Sequence, residues 1–133
     1  MEPIFTPDAV TPHGHYSQAM KAGPFLFVSG ILGNNAHHPP DEAPAVEAQA
    51  RLCLEQIGAI VAAAGGGPAS IAKMSIFVTG LDLWPRINQV YADFFGEHRP
   101  ARIVVPCGAM RFGSDVEMDA IAWLGPAPEA PLA

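Results

Sequence analysis

Residues 100–105, PARIVV, and residues 116–122, VEMDAIA, decide the fold of this chain. Each is a short apolar run with the length and residue types of a β-strand, and a turn around residues 112–114 separates them. We predict a hairpin of two strands, over about residues 101–107 and 115–124. Each strand holds one ionisable side chain among apolar ones. Because an unpaired buried charge is costly, Arg102 either binds a ligand or forms half of an internal ion pair, and Glu117 offers a group that can handle a proton.

Upstream of this pair, the hydrophobic period changes from that of a strand to that of a helix. Residues 25–30, FLFVSG, form an apolar run bounded by Gly-Pro and Gly, which predicts a buried strand. Residues 45–64 repeat apolar side chains at helical spacing and predict a helix with Gln49 among its outward residues. The sequence GGGP at residues 65–68 ends this helix, because proline cannot continue it.

The same alternation recurs before the final strand pair. Residues 71–79 have the period of a strand with one buried face, and a second helix follows with Asp82 as N-cap, Pro85 in its first turn and Gly96 at its end. Strands and helices in this order predict an α+β domain, with both helices on one face of a mixed sheet. The other face must be covered, and we expect a neighbouring subunit to cover it.

Composition limits the class of protein. The 133 residues fit a single domain, with a Pro/Ala-rich tail at about residues 125–133. A net charge of −6 gives no basic surface for nucleic acid, and no apolar run is long enough to span a membrane, so we expect neither partner and a cytoplasmic location. Charged residues are only 15% of the chain, which favours a homo-oligomer.

Cysteine and histidine usage points away from disulfides and metals. Cys53 and Cys107 are expected to be free thiols, because no secretory signal or dense cysteine framework accompanies them. The four histidines between residues 13 and 38 lack the spacing of a metal site. We therefore expect no metal and no cofactor.

Several motifs together resemble the RidA (YjgF/YER057c/UK114) family. They are GHYSQA at 14–19, FVSG at 27–30, KMSIFVT at 73–79, NQVY at 88–91, PAR at 100–102 and VEMDAIA at 116–122. The resemblance spans about residues 10–123 and includes the fifteen-residue step from Arg102 to Glu117. It implies a chorismate-mutase-like α+β homotrimer with a small-molecule cleft at each subunit interface.

The resemblance also implies an activity. Active members hydrolyse reactive enamines and imines, such as 2-aminoacrylate, to 2-oxo acids and ammonia, as 2-iminobutanoate/2-iminopropanoate deaminases. By this resemblance Arg102 holds the substrate carboxylate and Glu117 positions the attacking water. Other positions that match the family's cleft are Tyr16, Ser29, Gly30 and Asn88. An imine beside a carboxylate already hydrolyses in water, so orientation, a water molecule and proton transfer suffice.

One geometric difficulty accompanies this expectation. A plain hairpin centred at residue 112 pairs Arg102 with Ala122 and places Glu117 on the opposite face. A bulge, another register or a subunit boundary must bring the two together. The chain also has Val104 where many active members have a cysteine, and His15 where proline is usual.

Other functions remain open at this point. The chain could be a non-catalytic oligomer that binds a carboxylate metabolite as a sensor or scaffold, or a deaminase dedicated to one catabolic pathway. A ribonuclease, proposed for relatives, is disfavoured by the acidic charge and the lack of a paired acid–base set for phosphodiester cleavage.

Overall fold

The computed structural model describes residues 1–35 and 38–127, which form one mixed sheet and two helices. The strands are β1 (Glu2–Ile4), β2 (Ala19–Ala22), β3 (Phe25–Leu32), β4 (Ile71–Val78), β5 (Ala101–Pro106) and β6 (Val116–Trp123). The helices are α1 (Val46–Ala63) and α2 (Trp84–Phe95). This confirms the predicted α+β class. The predicted tail lies mostly outside the described residues.

Both helices cover the same face of the sheet. Alternate residues of β4 and β6, among them Met74, Ile76 and Met118, are fully buried beneath α1, which contributes Leu54 and Ile57 to the same core. This alternation follows from the period of two in a strand, since every second side chain points to the helices.

The opposite side of the sheet, which we call the open face, has no covering element among the described residues. Its large apolar side chains remain exposed: Phe25 by 43%, Phe27 by 47%, Ile103 by 50% and Trp123 by 38%. Phe25 packs edge-on against Trp123, with ring centroids 5.1 Å apart. An apolar patch of this kind is typical of a surface that another subunit covers.

The predicted hairpin of the last two strands is wrong. The sheet order is β1-β2-β3-β6-β4-β5, so β4 lies between β5 and β6. The chain passes from β4 through α2 into β5, which pairs with β4 in parallel as a βαβ crossover does. Strand β6 then pairs antiparallel with both β3 and β4.

Three smaller features also differ from expectation. Gln49 is fully buried rather than outward: its amide nitrogen donates to the Pro44 carbonyl at 2.8 Å, and its oxygen accepts from the backbone N–H of Asp115 at 2.8 Å. Asp82 does not cap α2, because it lies in a 3-10 turn before the helix and Leu83 is the N-cap. Strands β1 and β2, each of four residues or fewer, were not predicted.

The glycine helix ends are confirmed. Gly96 follows α2 with a φ of 61°, and Gly65 follows α1 with a φ of 95°. Both angles lie in the region that favours glycine.

Strand β3 contains a bulge that matters for the site. Val28 pairs with Ala120 and Ile31 pairs with Met118, so Ser29 and Gly30 together oppose Asp119. The extra residue lets both Val28 and Ile31 point into the core on either side of the irregularity.

Cys53 and Cys107 are free, as predicted. Within residues 1–35 and 38–127, no group of three or more His, Cys, Asp or Glu side chains is arranged to hold a metal ion. In the same residues, neither helix is both long and apolar enough to cross a membrane.

Candidate functional site

Arg102 is the centre of one cluster, which we call the arginine half-site. It lies on edge strand β5 opposite Met74 of β4, so its side chain is on the helix side of the sheet. Its Nη1 donates a hydrogen bond of 2.8 Å to Oδ1 of Asn88. Its Cζ is 4.8 Å from the ring centroid of Trp84 and 5.1 Å from that of Tyr91.

Helix α2 supplies all three contacts of this arginine. Trp84, Asn88 and Tyr91 are spaced i, i+4 and i+7, so they share one side of the helix. Aromatic faces attract a guanidinium by the cation–π interaction, and the two rings restrict how the side chain can move. The arginine is thus positioned before any ligand binds.

Within residues 1–35 and 38–127, one hydrogen bond, to Asn88, uses the donors of Arg102. Among the described residues, the ion pair is that of Arg86 with Glu47, at 2.6 Å, and Arg102 pairs with no carboxylate. A cleft of about 410 Å³ lies beside it, lined also by Asn88, Tyr91 and Arg99. The Tyr91 hydroxyl is buried and has no hydrogen-bond partner in the described part of the chain, and burial raises the pKa of Tyr91, against a smaller opposing effect of Arg102. This cleft therefore offers donors to an anionic ligand.

Glu117 is the centre of a second cluster, the glutamate half-site. It pairs with Leu32 of β3 and Phe77 of β4, and it is half-buried on the open face. Burial, and to a lesser extent the neighbouring Asp119, raises the pKa of Glu117 above its ordinary value of 4.5. A carboxylate with a raised pKa is a stronger base once it is ionised.

Gly30 makes room for this carboxylate. A Cβ at residue 30 would collide with Oε1 of Glu117. Ser29, its partner in the bulge, donates from Oγ to the Ser17 carbonyl at 2.6 Å, and its backbone N–H donates to the Gln18 carbonyl at 2.9 Å. The bulge is thereby fixed to the segment that carries Tyr16.

Tyr16 is 52% exposed and shares a cleft of about 100 Å³ with Gly30. Arg111, Phe112 and His13 also line this cleft. The glutamate half-site thus combines Glu117 and Gly30 with the predicted residues Ser29 and Tyr16, whereas Asn88 belongs with Arg102.

The structure does not bring Arg102 and Glu117 together within one protomer. They lie on opposite faces of the sheet, as the parity of the strands predicted, and neither the bulge in β3 nor the register changes that. A subunit boundary remains as the way to join the two half-sites.

Sequence reasoning missed four residues of the two clusters: Trp84, Tyr91, Arg111 and Phe112. The first two had a usable signal, the helical spacing of aromatic residues around Asn88. Phe112 had none, because nothing in the sequence indicates its positive φ of 59°.

The fold, a mixed sheet with two helices on one face, is that of a chorismate-mutase-like α+β protein. Its candidate site contains Arg102, which packs against α2, and Glu117, which lies on the open face. Residues 6–124 match the family model described as Endoribonuclease L-PSP, and similar solved structures include a RidA and a YjgF gene product. The chain therefore belongs to the RidA (YjgF/YER057c/UK114) family, as its motifs predicted.

Named relatives span nearly the whole chain. A RutC family protein of Pyrococcus horikoshii is 36% identical over 122 residues, which are 92% of this chain and 97% of that protein. The chloroplastic Reactive Intermediate Deaminase A of Arabidopsis thaliana is 32% identical over 123 residues, covering 92% of this chain and 66% of the relative. The crystal structure of Escherichia coli TdcF with bound serine is 37% identical with a TM-score of 0.84, covering 92% of this chain and 98% of that one.

Proposed function

We propose that this protein hydrolyses small reactive enamines and imines, such as 2-aminoacrylate or 2-imino acids, to 2-oxo acids and ammonia. The observation that carries the proposal is the pair of half-sites: a guanidinium with unused donors on one face and a carboxylate with a raised pKa on the other. The similarity to a plant Reactive Intermediate Deaminase A supports this chemistry, and the serine bound by TdcF supports an amino-acid-like ligand.

Arg102 binds the substrate carboxylate in this proposal. A guanidinium forms two parallel hydrogen bonds to a carboxylate, and a charge-assisted contact of this kind contributes about 1.5–3 kcal/mol. Because Asn88 and the rings of Trp84 and Tyr91 already hold the side chain, binding orders it little further. A lysine lacks the planar fork and would not replace it.

Glu117 activates the water. Its carboxylate accepts a proton from water as the oxygen attacks the carbon of the protonated imine, which gives a neutral carbinolamine. Glu117 returns that proton to the amine nitrogen, the C–N bond breaks as ammonia leaves, and the hydroxyl group gives up its proton as the C=O bond of the 2-oxo acid forms. General-base catalysis of this kind contributes about 10²–10⁴ in rate. An enamine enters the same route after protonation at carbon.

The complete site requires a second copy of the chain. We propose a homotrimer in which a neighbour covers the open face and brings its Arg102 towards Glu117. The exposed Phe25, Phe27 and Trp123 give this contact its apolar area. Closed rings of identical subunits produce one such composite cleft at each interface.

The test uses an imine made in place. A serine or threonine dehydratase generates 2-aminoacrylate or its homologue in the presence of semicarbazide, and semicarbazone formation is followed. The wild-type protein is expected to suppress semicarbazone formation, and the Arg102→Ala variant is expected to leave it unchanged. Arg86→Ala, which alters an exposed arginine of α2, is the matched control and should behave as wild type. No suppression by the wild type across several amino-acid-derived imines contradicts the proposal.

A second candidate is a non-catalytic oligomer that binds a carboxylate metabolite. It is favoured by one observation: the arginine half-site and its cleft are formed without Glu117. The first candidate also has a more specific form, a deaminase dedicated to one catabolic pathway. Val104 in place of the usual cysteine is the feature that favours this form. The family model's description as an endoribonuclease finds little support in a chain of net charge −6.

A further inference from the structure

We propose that Arg111 makes this site selective for imino acids whose side chain carries a second carboxylate. The inference rests on the proposed deaminase function and specifies its substrate class. The protomer has two separate guanidinium groups beside clefts, those of Arg102 and Arg111. Arg102 lies by its own cleft on the helix side, whereas Arg111 lines the cleft of Tyr16 and Gly30 in the glutamate half-site.

The cleft that Arg111 lines adjoins the glutamate half-site at Gly30. Gly30 is the residue whose missing Cβ makes space for the Glu117 carboxylate, and Gly30 and Arg111 line the same cleft. A substrate held by Arg102 of the neighbouring subunit, with its imine carbon facing Glu117, therefore extends its side chain beside Arg111. Arg102 then binds the 1-carboxylate, and Arg111 is placed to bind a second carboxylate at the end of the substrate side chain.

The loop that carries Arg111 is held rigidly. The Arg111 guanidinium lies 4.8 Å from the ring centroid of Phe112, which has a φ of 59° that bulky residues seldom adopt. Asn34, only 1% exposed, holds this turn: its Nδ2 donates to the Phe112 carbonyl at 2.6 Å. Unfavourable backbone angles that the surroundings enforce occur preferentially at functional sites.

A second pair of contacts anchors the other side of the turn. The backbone N–H of Asn34 donates to Oγ of Ser114 at 2.9 Å, and that hydroxyl donates back to the Asn34 carbonyl at 2.7 Å. Gly113, with a φ of 65°, packs against the backbone of Pro40. The arginine is thus presented from a fixed base.

The charge and size of the cleft select the ligand. Among the described residues, Arg111 forms no ion pair, although the chain has 13 Asp and Glu residues. A cleft of about 100 Å³ has room for about three to four water molecules, which a carboxymethyl group fills. His13 adds a further polar group to the same wall. Imines derived from acidic amino acids fit this arrangement best.

The experiment compares two imines that differ in one end group. Flavin-dependent oxidases generate the imine of aspartate and that of 2-aminobutyrate, which has a methyl group in place of the side-chain carboxylate, and semicarbazone formation is followed. Wild type is expected to prefer the aspartate imine. Arg111→Met should lower kcat/KM for that imine by about tenfold or more and change the other by less than about threefold. Arg111→Lys should fall between, and Arg51→Met on the surface of α1 should match wild type.

Equal loss on both imines, or no change on either, overturns the inference while leaving the deaminase function standing. If wild type hydrolyses neither these imines nor 2-aminoacrylate, the proposed function fails, and binding then decides the inference. Calorimetry with 2-oxobutyrate and with 2-oxoglutarate, a stable dicarboxylate analogue of the aspartate product oxaloacetate, provides that measurement. Weaker binding of 2-oxoglutarate alone in Arg111→Met supports a second anion position, and unchanged binding of both overturns it.

Discussion

Arg102 and Glu117 lie on opposite faces of one sheet, and the strand between them shows why. Arg102 pairs with Met74 and Glu117 pairs with Phe77, both on β4. Met74 and Phe77 are three residues apart, so their side chains point in opposite directions. A ligand that contacts both side chains must therefore lie between two copies of the chain.

A mixture of two inactive variants should recover activity. In trimers assembled at random from equal amounts of Arg102→Ala and Glu117→Gln chains, about a quarter of the interfaces combine an intact arginine with an intact glutamate. We expect about a quarter of wild-type kcat per site after the two proteins are unfolded together and refolded, and almost none from either alone. Activity of the mixture no greater than that of its components would show that each site uses a single chain.

Replacement of Glu117 by Gln should separate catalysis from binding. We expect kcat to fall by about 10²–10⁴ with little change in the affinity for a 2-oxo acid, because Arg102 is untouched. The raised pKa means that ionised Glu117 disfavours the folded state at neutral pH, so Tm should stay the same or rise. Steady-state kinetics and thermal unfolding of the same variant check the fall in kcat and the change in Tm. A variant with the full wild-type rate would favour the non-catalytic oligomer that binds a carboxylate metabolite.

Asp119 should shift the acid limb of the pH profile, adding to the larger effect of burial on the pKa of Glu117. Glu117 acts as a base only when ionised, so kcat/KM falls as the pH falls through its pKa. Asp119→Asn removes a negative neighbour that raises this pKa, so the limb should move to lower pH. Asp93→Asn, on the exposed side of α2, is the matched control. An unmoved limb in Asp119→Asn would show that Asp119 does not influence the group that titrates in this limb.

Gly30→Ala should damage activity more than stability. The added Cβ meets the flexible end of the Glu117 side chain, which can move away at a cost of about 1 kcal/mol or less but then leaves its catalytic position. We expect kcat/KM to fall by about tenfold or more. Gly67→Ala is the control, since its Cβ meets nothing within 4 Å. Equal activity of the two alanine variants would show that the position of the carboxylate is not limiting.

The helices were predictable because their signals are local. The apolar period of α1 and the glycines after both helices mark these elements within a few residues. Strand pairing is harder to predict than a helix. The alternation in β5 and β6 shows which side chains share a face of the sheet, but it does not show which strand is the hydrogen-bonded neighbour. The hairpin was wrong for that reason. Arg102 and Glu117 still face opposite sides, because the register of β4 places Ala120, and not Glu117, in line with Arg102.

The site was predictable only in part. The residues that the family motifs indicated fall into two groups around Arg102 and Glu117. The cleft wall at Arg111 depends on the positive φ of Phe112 and on the burial of Asn34, and both result from long-range contacts that no local pattern reports. Gln49 is a similar case, because its partner Asp115 is distant in the sequence.

The aromatic side chains of the open face have a consequence for how the activity arises in time. A single newly folded chain has its core complete but carries only unjoined halves of the proposed site, with Phe25, Phe27 and Trp123 still in water. Function would then begin at encounter rather than at folding. On refolding from denaturant, activity should appear with a rate that increases with chain concentration, while the helical signal returns at a rate that does not.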